Sequence, residues 1–295
     1  MASESSLTIS ETSPYDPALA AFFSSTARTR EHLLLARDAA SGALIGVCEG
    51  ATRSGGVYCS RLAIAKASRR AGVGRALLAA LYAEARAATP PAAVAWLCTL
   101  DYQGPLYYPK VGYTPHHELA GLRDGRVSTY FFRTLDGASA APPPSPPLAP
   151  PAFSIAPLPA QGAEEARAAA LAFVRAEFDA HSREAVGGVS GYFALALEAT
   201  RNGERVGALN AMSYWGLLVI KELEVAEGAR RGGVGRALVQ AAAAAAAARG
   251  CSVALAEALE ESQAPRFWER AGFERLAELP GFENGERLVR LARRL

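Results

Sequence analysis

The sequence predicts an α/β (α+β) protein of two domains in tandem, and three observations predict it. Its 295 residues, at roughly 150 per domain, make two units, each able to bury about two-thirds of its unfolded surface. Arg69-Arg70-Ala71-Gly72-Val73-Gly74-Arg75-Ala76-Leu77 recurs as Arg230-Arg231-Gly232-Gly233-Val234-Gly235-Arg236-Ala237-Leu238, at an offset of 161 with eight of nine positions identical. Downstream, Pro105-Leu106-Tyr107-Tyr108-Pro109-Lys110-Val111-Gly112-Tyr113 answers to Pro265-Arg266-Phe267-Trp268-Glu269-Arg270-Ala271-Gly272-Phe273, at an offset of 160. Two motifs repeated at nearly fixed spacing indicate a duplicated domain. Between the copies, residues 137–151 hold seven prolines and no charge, the composition of a solvated polyproline-II spacer up to about 45 Å long. The division is therefore 1–136, spacer 137–151, and 152–295.

Each half reads as the same order of elements. In the first, Leu33–Arg37 and Ala43–Glu49 alternate as strands around the turn residues Ala40-Ser41-Gly42. Val57–Lys66 is a third strand, with Leu62 and Ile64 on one face. Val73–Ala88 is a helix, since Leu77, Leu78, Leu81 and Ala85 fall near a 3.6-residue period and Thr89-Pro90-Pro91 stops it. Ala93–Leu100 is a strand, Gly104–Lys110 a short helix, and Glu118–Leu122 with Val127–Thr134 a closing hairpin. The second half repeats this with strands Tyr192–Glu198, Arg205–Met212 and Leu217–Val225, helix Val234–Arg249 and strand Ser252–Ala256. The short helix Gln263–Arg270 and the hairpin Arg275–Leu279 with Arg287–Leu291 follow. Eight consecutive alanines, 241–248, sit inside the long helix, and Gly250 stands where a C-cap belongs.

Composition narrows the function. Residues 1–136 carry 14 basic and 11 acidic side chains, and 152–295 carry 17 and 18. Neither half has the basic excess that a phosphate backbone demands, so nucleic acid and membrane surface are excluded as main partners. No 18-residue apolar run is free of charges or breakers. The start MASESSLTISE lacks both a secretory h-region and the arginines of a transit peptide, which predicts a cytoplasmic protein. Cys48, Cys59, Cys98 and Cys251 are far apart, form no C-x-x-C and lie in apolar runs; they read as buried reduced thiols. His116-His117 should point to opposite faces of a strand and so not share an ion; no metal site is expected.

The chemistry gathers at the Arg-x-x-Gly-x-Gly turn between third strand and helix. Glycines let successive N–H groups point inward as an anion nest, and the helix adds its unpaired N–H groups and the positive end of its dipole. Arg69, Arg70 and Arg75, and Arg230, Arg231 and Arg236, add fixed charge. The natural guest is a diphosphate. A Walker loop needs Gly-Lys-Ser/Thr where Gly74 and Gly235 are followed by Arg-Ala, and a Rossmann fingerprint needs glycine where Leu77 and Leu238 stand.

With Leu62-Ala63-Ile64 before Arg69, Leu223-Glu224-Val225 before Arg230, and the aromatic motif downstream of each, the sequence resembles the GNAT-type N-acetyltransferase superfamily. The resemblance covers about residues 30–135 and 190–295. It implies two tandem acyl-CoA N-acyltransferase domains, each a mixed, mostly antiparallel sheet flanked by helices. It further implies acetyl-CoA as acyl donor and a small-molecule or peptide amine as acceptor. By position, Arg69, Arg70, Ala71, Gly72, Val73, Gly74 and Arg75, and Arg230, Arg231, Gly232, Gly233, Val234, Gly235 and Arg236, would hold the CoA diphosphate. Leu62, Ile64, Leu223 and Val225 would offer main-chain groups to the pantetheine arm and thioester.

The proton donor to the departing thiolate is implied at Tyr108 in the first half. The second half has Trp268 there, and an indole N–H is no useful acid near neutral pH. The first half is thus expected to hold the fuller catalytic set, with the second impaired or purely binding; a CoA-binding regulatory protein is the alternative. No general base is evident: the third strand of the first half has no carboxylate, and Glu222 and Glu224 read as solvated strand residues. Residues 15–30 are short for an acceptor-binding pair of helices, which predicts a first site that is open or completed by a partner, unless Ala18–Arg28 closes over it.

Overall fold

The computed structural model describes residues 7–13, 16–23, 29–135, 152–159 and 162–295. In chain order the elements are β1 (Leu7–Thr12), α1 (Pro17–Phe23), β2 (Arg30–Asp38), β3 (Leu44–Arg53), β4 (Gly56–Ile64), α2 (Val73–Arg86), β5 (Val94–Leu100), β6 (Thr114–Leu119) and β7 (Ser128–Thr134). After the proline-rich segment come β8 (Phe153–Pro157), α3 (Glu164–Val186), β9 (Phe193–Arg201), β10 (Glu204–Tyr214), β11 (Leu217–Val225), α4 (Val234–Ala248), β12 (Val253–Leu259), α5 (Ala264–Arg270), β13 (Glu274–Leu279) and β14 (Leu288–Arg294). The proline-rich segment itself lies outside the described residues, as does its expected polyproline-II conformation.

These strands build two seven-stranded sheets, ordered β6-β7-β5-β4-β3-β2-β8 and β1-β9-β10-β11-β12-β14-β13. Each is antiparallel except at one pair, β4 with β5 and β11 with β12, where a crossover through α2 or α4 forces the parallel direction. This is the mixed, mostly antiparallel architecture expected of a tandem acyl-CoA N-acyltransferase fold. Helix α2 buries Val73, Leu77, Leu78, Leu81 and Ala85 against Cys48, Val57, Cys59, Ala95 and Leu97 of the first sheet. Helix α4 does the same with Val234, Leu238, Val239, Ala242 and Ala246, so part of the alanine run is core.

The outermost strands are exchanged. β1, from the start of the chain, pairs with β9 in the second sheet, from Leu7↔Arg201 to Thr12↔Ala196. β8, from beyond the proline-rich segment, pairs with β2 in the first sheet, from Leu34↔Pro157 to Asp38↔Phe153. The following helices go with them. Leu19 and Phe23 of α1 pack on Ala196 and Ala208 of the second sheet. Ala170 and Val174 of α3 pack on Leu33, Leu35, Val47 and Ala63 of the first. Each half thus covers the other's open strand edge, which would otherwise invite pairing with another chain. A chain cut once within 137–151 should therefore elute from size exclusion as one particle; two separated halves would contradict the exchange.

The halves also clasp each other through loops at repeat-related positions. The Arg123 N–H donates to the Trp215 carbonyl at 2.9 Å, and the Glu283 N–H donates to the Ser54 carbonyl at 2.9 Å. Phe282 sits edge-on to Trp96 at 5.0 Å between centroids. At the centre, fully buried Arg290 pairs with Glu257 at 2.7 Å and lies 3.7 Å over the Tyr130 ring. Glu257 also pairs with Arg53 across the interface. Burial alone would raise the Glu257 carboxyl, but Arg290, Arg53 and Lys221 more than offset this and hold it below the usual range.

Three local expectations are corrected. The segment Gly104–Lys110 forms only a 3₁₀ turn at Tyr108–Val111, whereas its counterpart is the α-helix α5. Pro109 supplies no N–H and its ring crowds the preceding turn, where the second copy has Glu269. His116 and His117 do not diverge: a bulge at Pro115/His117 breaks the alternation, and their Nδ1 atoms lie 3.0 Å apart. Burial, then Arg290 and His116, push the His117 ring down to about 3, so it is neutral. No group of three or more metal-ligating side chains occurs among the described residues. Lastly, Cys48, Cys59 and Cys251 are buried, but Cys98 is only partly so and bridges the Tyr58 and Tyr214 hydroxyls at 3.3 and 3.4 Å. No helix among the described residues is long and apolar enough to cross a membrane.

Candidate active site

The parallel strands set the site. β4 and β5 pair only at Gly56↔Val94, Val57↔Ala95 and Tyr58↔Trp96. Beyond Tyr58 the strands part, although β4 continues to Ile64 and β5 to Leu100. The β4 edge carrying Leu62 and Ile64 thus faces an opening with no ladder across it. β11 and β12 part in the same way after Val219↔Leu255, ahead of Leu223 and Val225. Main-chain groups on such an edge are available to an extended ligand that adds itself as a strand.

At the wide end of each opening lies the arginine-glycine turn. Gly72 caps α2 with φ +84° and has nothing within 4 Å of where a Cβ would stand. Arg70 and Arg231 are both held at positive φ, 68° and 64°, a non-glycine conformation costing about 1 kcal/mol or more. In the first half, no hydrogen bond from the described residues occupies the main-chain N–H groups of Arg70, Ala71, Gly72, Val73 or Gly74. In the second, those of Gly233, Val234 and Gly235 are likewise unoccupied, while Gly232 N–H reaches the Ala229 carbonyl at 3.4 Å.

The arginines divide into two kinds. Arg69 Nε donates to the Ile64 carbonyl at 3.2 Å and Arg230 Nε to the Val225 carbonyl at 3.0 Å, so each fastens the turn to its own strand. Arg69 Nη2 donates to Glu177 of α3 at 3.2 Å and Arg230 Nη2 to Glu224 at 3.1 Å. Glu224 is therefore an ion-paired, largely covered residue, not a solvated one. Arg236 donates to the Arg270 carbonyl at 3.2 Å, and Arg75 stands in the first turn of α2. Arg70 and Arg231 are exposed and in no ion pair among the described residues.

Tyr108 stands in an aromatic box, its ring centroid 5.4 Å from Tyr107, 5.8 Å from Tyr113 and 5.6 Å from Phe131. Burial drives its phenol well above the usual tyrosine value, so the proton stays on. Trp268 fills the matching box between Phe267 and Phe273, 5.1 Å from each. Tyr107 was not anticipated as a site residue. Its hydroxyl is buried without a partner among the described residues, and a Cβ on Gly74 would come within 2.9 Å of it. Burial, eased by Arg75, pushes that phenol up to about 12. In the second half Phe267 approaches Gly235 with no hydroxyl. In each half a ring thus lies close over the glycine before the arginine at the helix start, which the aromatic motif alone does not reveal.

The opposite face of β4 is walled from the other half. Tyr102 donates or accepts at Ser182 Oγ of α3 at 2.8 Å and stacks on His181 at 5.9 Å. Lys66 pairs with Glu184 at 2.8 Å. Helix α3 of the second half thus covers this side of the first half, while α1 lies on the second sheet and residues 24–28 fall outside the described chain. On β4, Ser60 is the extra residue of a β-bulge, with Glu49 opposite Arg61 and Gly50 opposite Cys59. Glu49 and Arg61 form an ion pair there. The matching bulge in the second half places Lys221 as the extra residue, with Asn210 bonded to Glu222 at 3.1 Å.

Comparison with known proteins finds the same family in both halves. A model described as an acetyltransferase (GNAT) domain matches residues 29–115, and one described as the acetyltransferase (GNAT) family matches residues 159–273. Among solved structures, an acetyltransferase from Bacillus cereus ATCC 14579 is similar at 23% identity, covering 36% of this chain and 76% of its own, with a TM-score of 0.34. The ribosomal-protein-S18-alanine N-acetyltransferase from Escherichia coli is similar at 18% identity, with coverages of 39% and 76% and a TM-score of 0.31. A Bacillus subtilis acetyltransferase in complex with CoA is similar at 20% identity, with coverages of 35% and 77% and a TM-score of 0.32. A search of curated proteins gave no match. With one family model on each side of the proline-rich segment, together spanning more than half of the sequence, the chain belongs to the GNAT acetyltransferase family as a tandem pair.

Proposed function

We propose that the chain is an acetyl-CoA-dependent N-acetyltransferase in which the first half performs the transfer and the second half binds CoA without turning it over. The observation that carries the asymmetry is Tyr108 in one aromatic box against Trp268 in the other. The units of duplication are 1–136 and 152–295, each lending its first strand and helix to its neighbour.

The residues present fit an acyl-CoA. A run of N–H groups at Arg70–Gly74 without partners among the described residues, a helix dipole and exposed Arg70 suit a diphosphate. The open β4 edge at Leu62 and Ile64 suits an amide-bearing arm. The orphaned Tyr107 hydroxyl offers a donor where the two meet. The bound thioester supplies the acetyl group that the acceptor amine attacks directly. Tyr108, kept protonated by burial, gives its proton to the departing sulfur, and Tyr113 and Phe131 hold its ring in place. Helix α3 and the Glu49–Arg61 pair form the acceptor side, and the amine loses its proton through water. In the second half the turn Arg230–Arg236 and the edge at Leu223 and Val225 offer the same grip, but no residue at the Trp268 position can supply a proton.

Thiol release from acetyl-CoA across a panel of primary amines tests this. The intact chain should release thiol only when an amine is present. Binding of CoA with no acetylation of any amine would instead support a purely regulatory, CoA-sensing protein.

A further inference from the structure

Lys221 is supplied by the second half but faces the first. As the extra residue of the β11 bulge, it projects across the interface until its Nζ lies 5.6 Å over the Tyr58 ring of β4. It keeps solvent access, yet Arg53, Arg61, Glu49 and Glu257 all act on it electrostatically. Both of those carboxylates are already committed, Glu49 to Arg61 and Glu257 to Arg53 and Arg290. Around the tip of Lys221 stand Arg53 and Arg61 with Glu257 and Glu49, so three cations face two carboxylates, and Lys221 is the cation that forms no ion pair among the described residues.

The arrangement is one-sided. The residue matching Lys221 in the repeat is Ser60, uncharged and bonded back to the Glu49 carbonyl at 3.2 Å. From this bulge position the first half thus sends no cation toward the second, and the half that receives Lys221 is the one with Tyr108.

We propose that this interdomain cleft binds a carboxylate on the acceptor, held by Lys221 with Arg61 beside it, so that the amine acetylated by the first half is of the amino-acid type. This rests on the transferase reading above, which supplies the acetylation but says nothing of the acceptor's charge. Glu49, opposite Arg61 on the same bulge, would be the carboxylate to meet the acceptor's ammonium before it is deprotonated. One oriented pair of opposite charges would then align the nitrogen toward β4.

The test compares a panel of amino acids with the corresponding amino-acid amides on the full-length chain loaded with CoA. Calorimetry should detect binding of at least one acid, weaker by about tenfold or more for its amide and for the acid on Lys221→Met, with Lys221→Arg recovering most of the affinity. In acetyl transfer, Lys221→Met should raise KM for the acid about tenfold more than for the amide. CoA heat retained by the variant verifies its fold. Equal binding of acids and amides, preference for aminoalkyl phosphates, or no heat from any acid would overturn the proposal. Acid binding without acetylation would sustain it while removing the transferase reading.

Discussion

Gly74→Glu should reduce acetyl transfer by more than about 100-fold, with the chain still folded. Position 74 is the second residue of α2, where a carboxylate favours the helix by about 0.3–1 kcal/mol. The new Cβ would come within 2.9 Å of the Tyr107 hydroxyl, the far end of a side chain that can swing aside. What the variant cannot avoid is a negative charge in the seat meant for a diphosphate, where like-charge repulsion works against binding. The repeat-related Gly235→Glu meets Phe267 at 3.2 Å and should remove CoA from the second half while transfer continues. Assays of thiol release on the two variants check this; equal loss from both would mean that the halves share the chemistry.

Tyr108→Phe should lower kcat by about 10²–10⁴-fold with CoA binding little changed, because it deletes a proton and no contact with the diphosphate seat. The ring packing on Tyr107, Tyr113 and Phe131 accepts phenylalanine without a change of shape. The unmodified chain should also show no alkaline loss of rate from this group up to about pH 10. Tyr108 is raised well above that value by burial, so its acidic form persists throughout. A turnover number unaltered in Tyr108→Phe would assign the proton to another donor, and Tyr107, with its buried unpartnered hydroxyl, would be the first to examine.

Much of this molecule was legible in the sequence, for reasons visible at particular residues. The turn and helix at Arg69–Leu81 announce themselves twice over: glycines at fixed places, then leucines at helical spacing. The exchange of β1 and β8 was not legible. Alternation in Leu7–Thr12 or Phe153–Pro157 says which face a strand buries, but both sheets present the same kind of open edge. Helix α3 was hidden because small residues such as Ala170 and Ser182 make up much of its buried stripe, leaving little periodic signal. Side-chain assignments failed where a bulge or a tertiary partner intervened. The β6 bulge turned His116 toward His117, and Arg230 claimed Glu224. Lys221 was invisible as a site residue because its neighbours, Tyr58 and Arg53, lie more than 160 positions away in the chain.

Titration of the purified chain with coenzyme A in a calorimeter, beside pantetheine lacking the diphosphate, addresses the grip of the two turns most directly. Main-chain N–H groups at Arg70–Gly74 and Gly233–Gly235, without partners among the described residues, predict saturable heat for coenzyme A and at least about tenfold weaker binding of pantetheine. Heat of equal strength from both compounds would move recognition away from the turns. No heat from coenzyme A would contradict the account at its root.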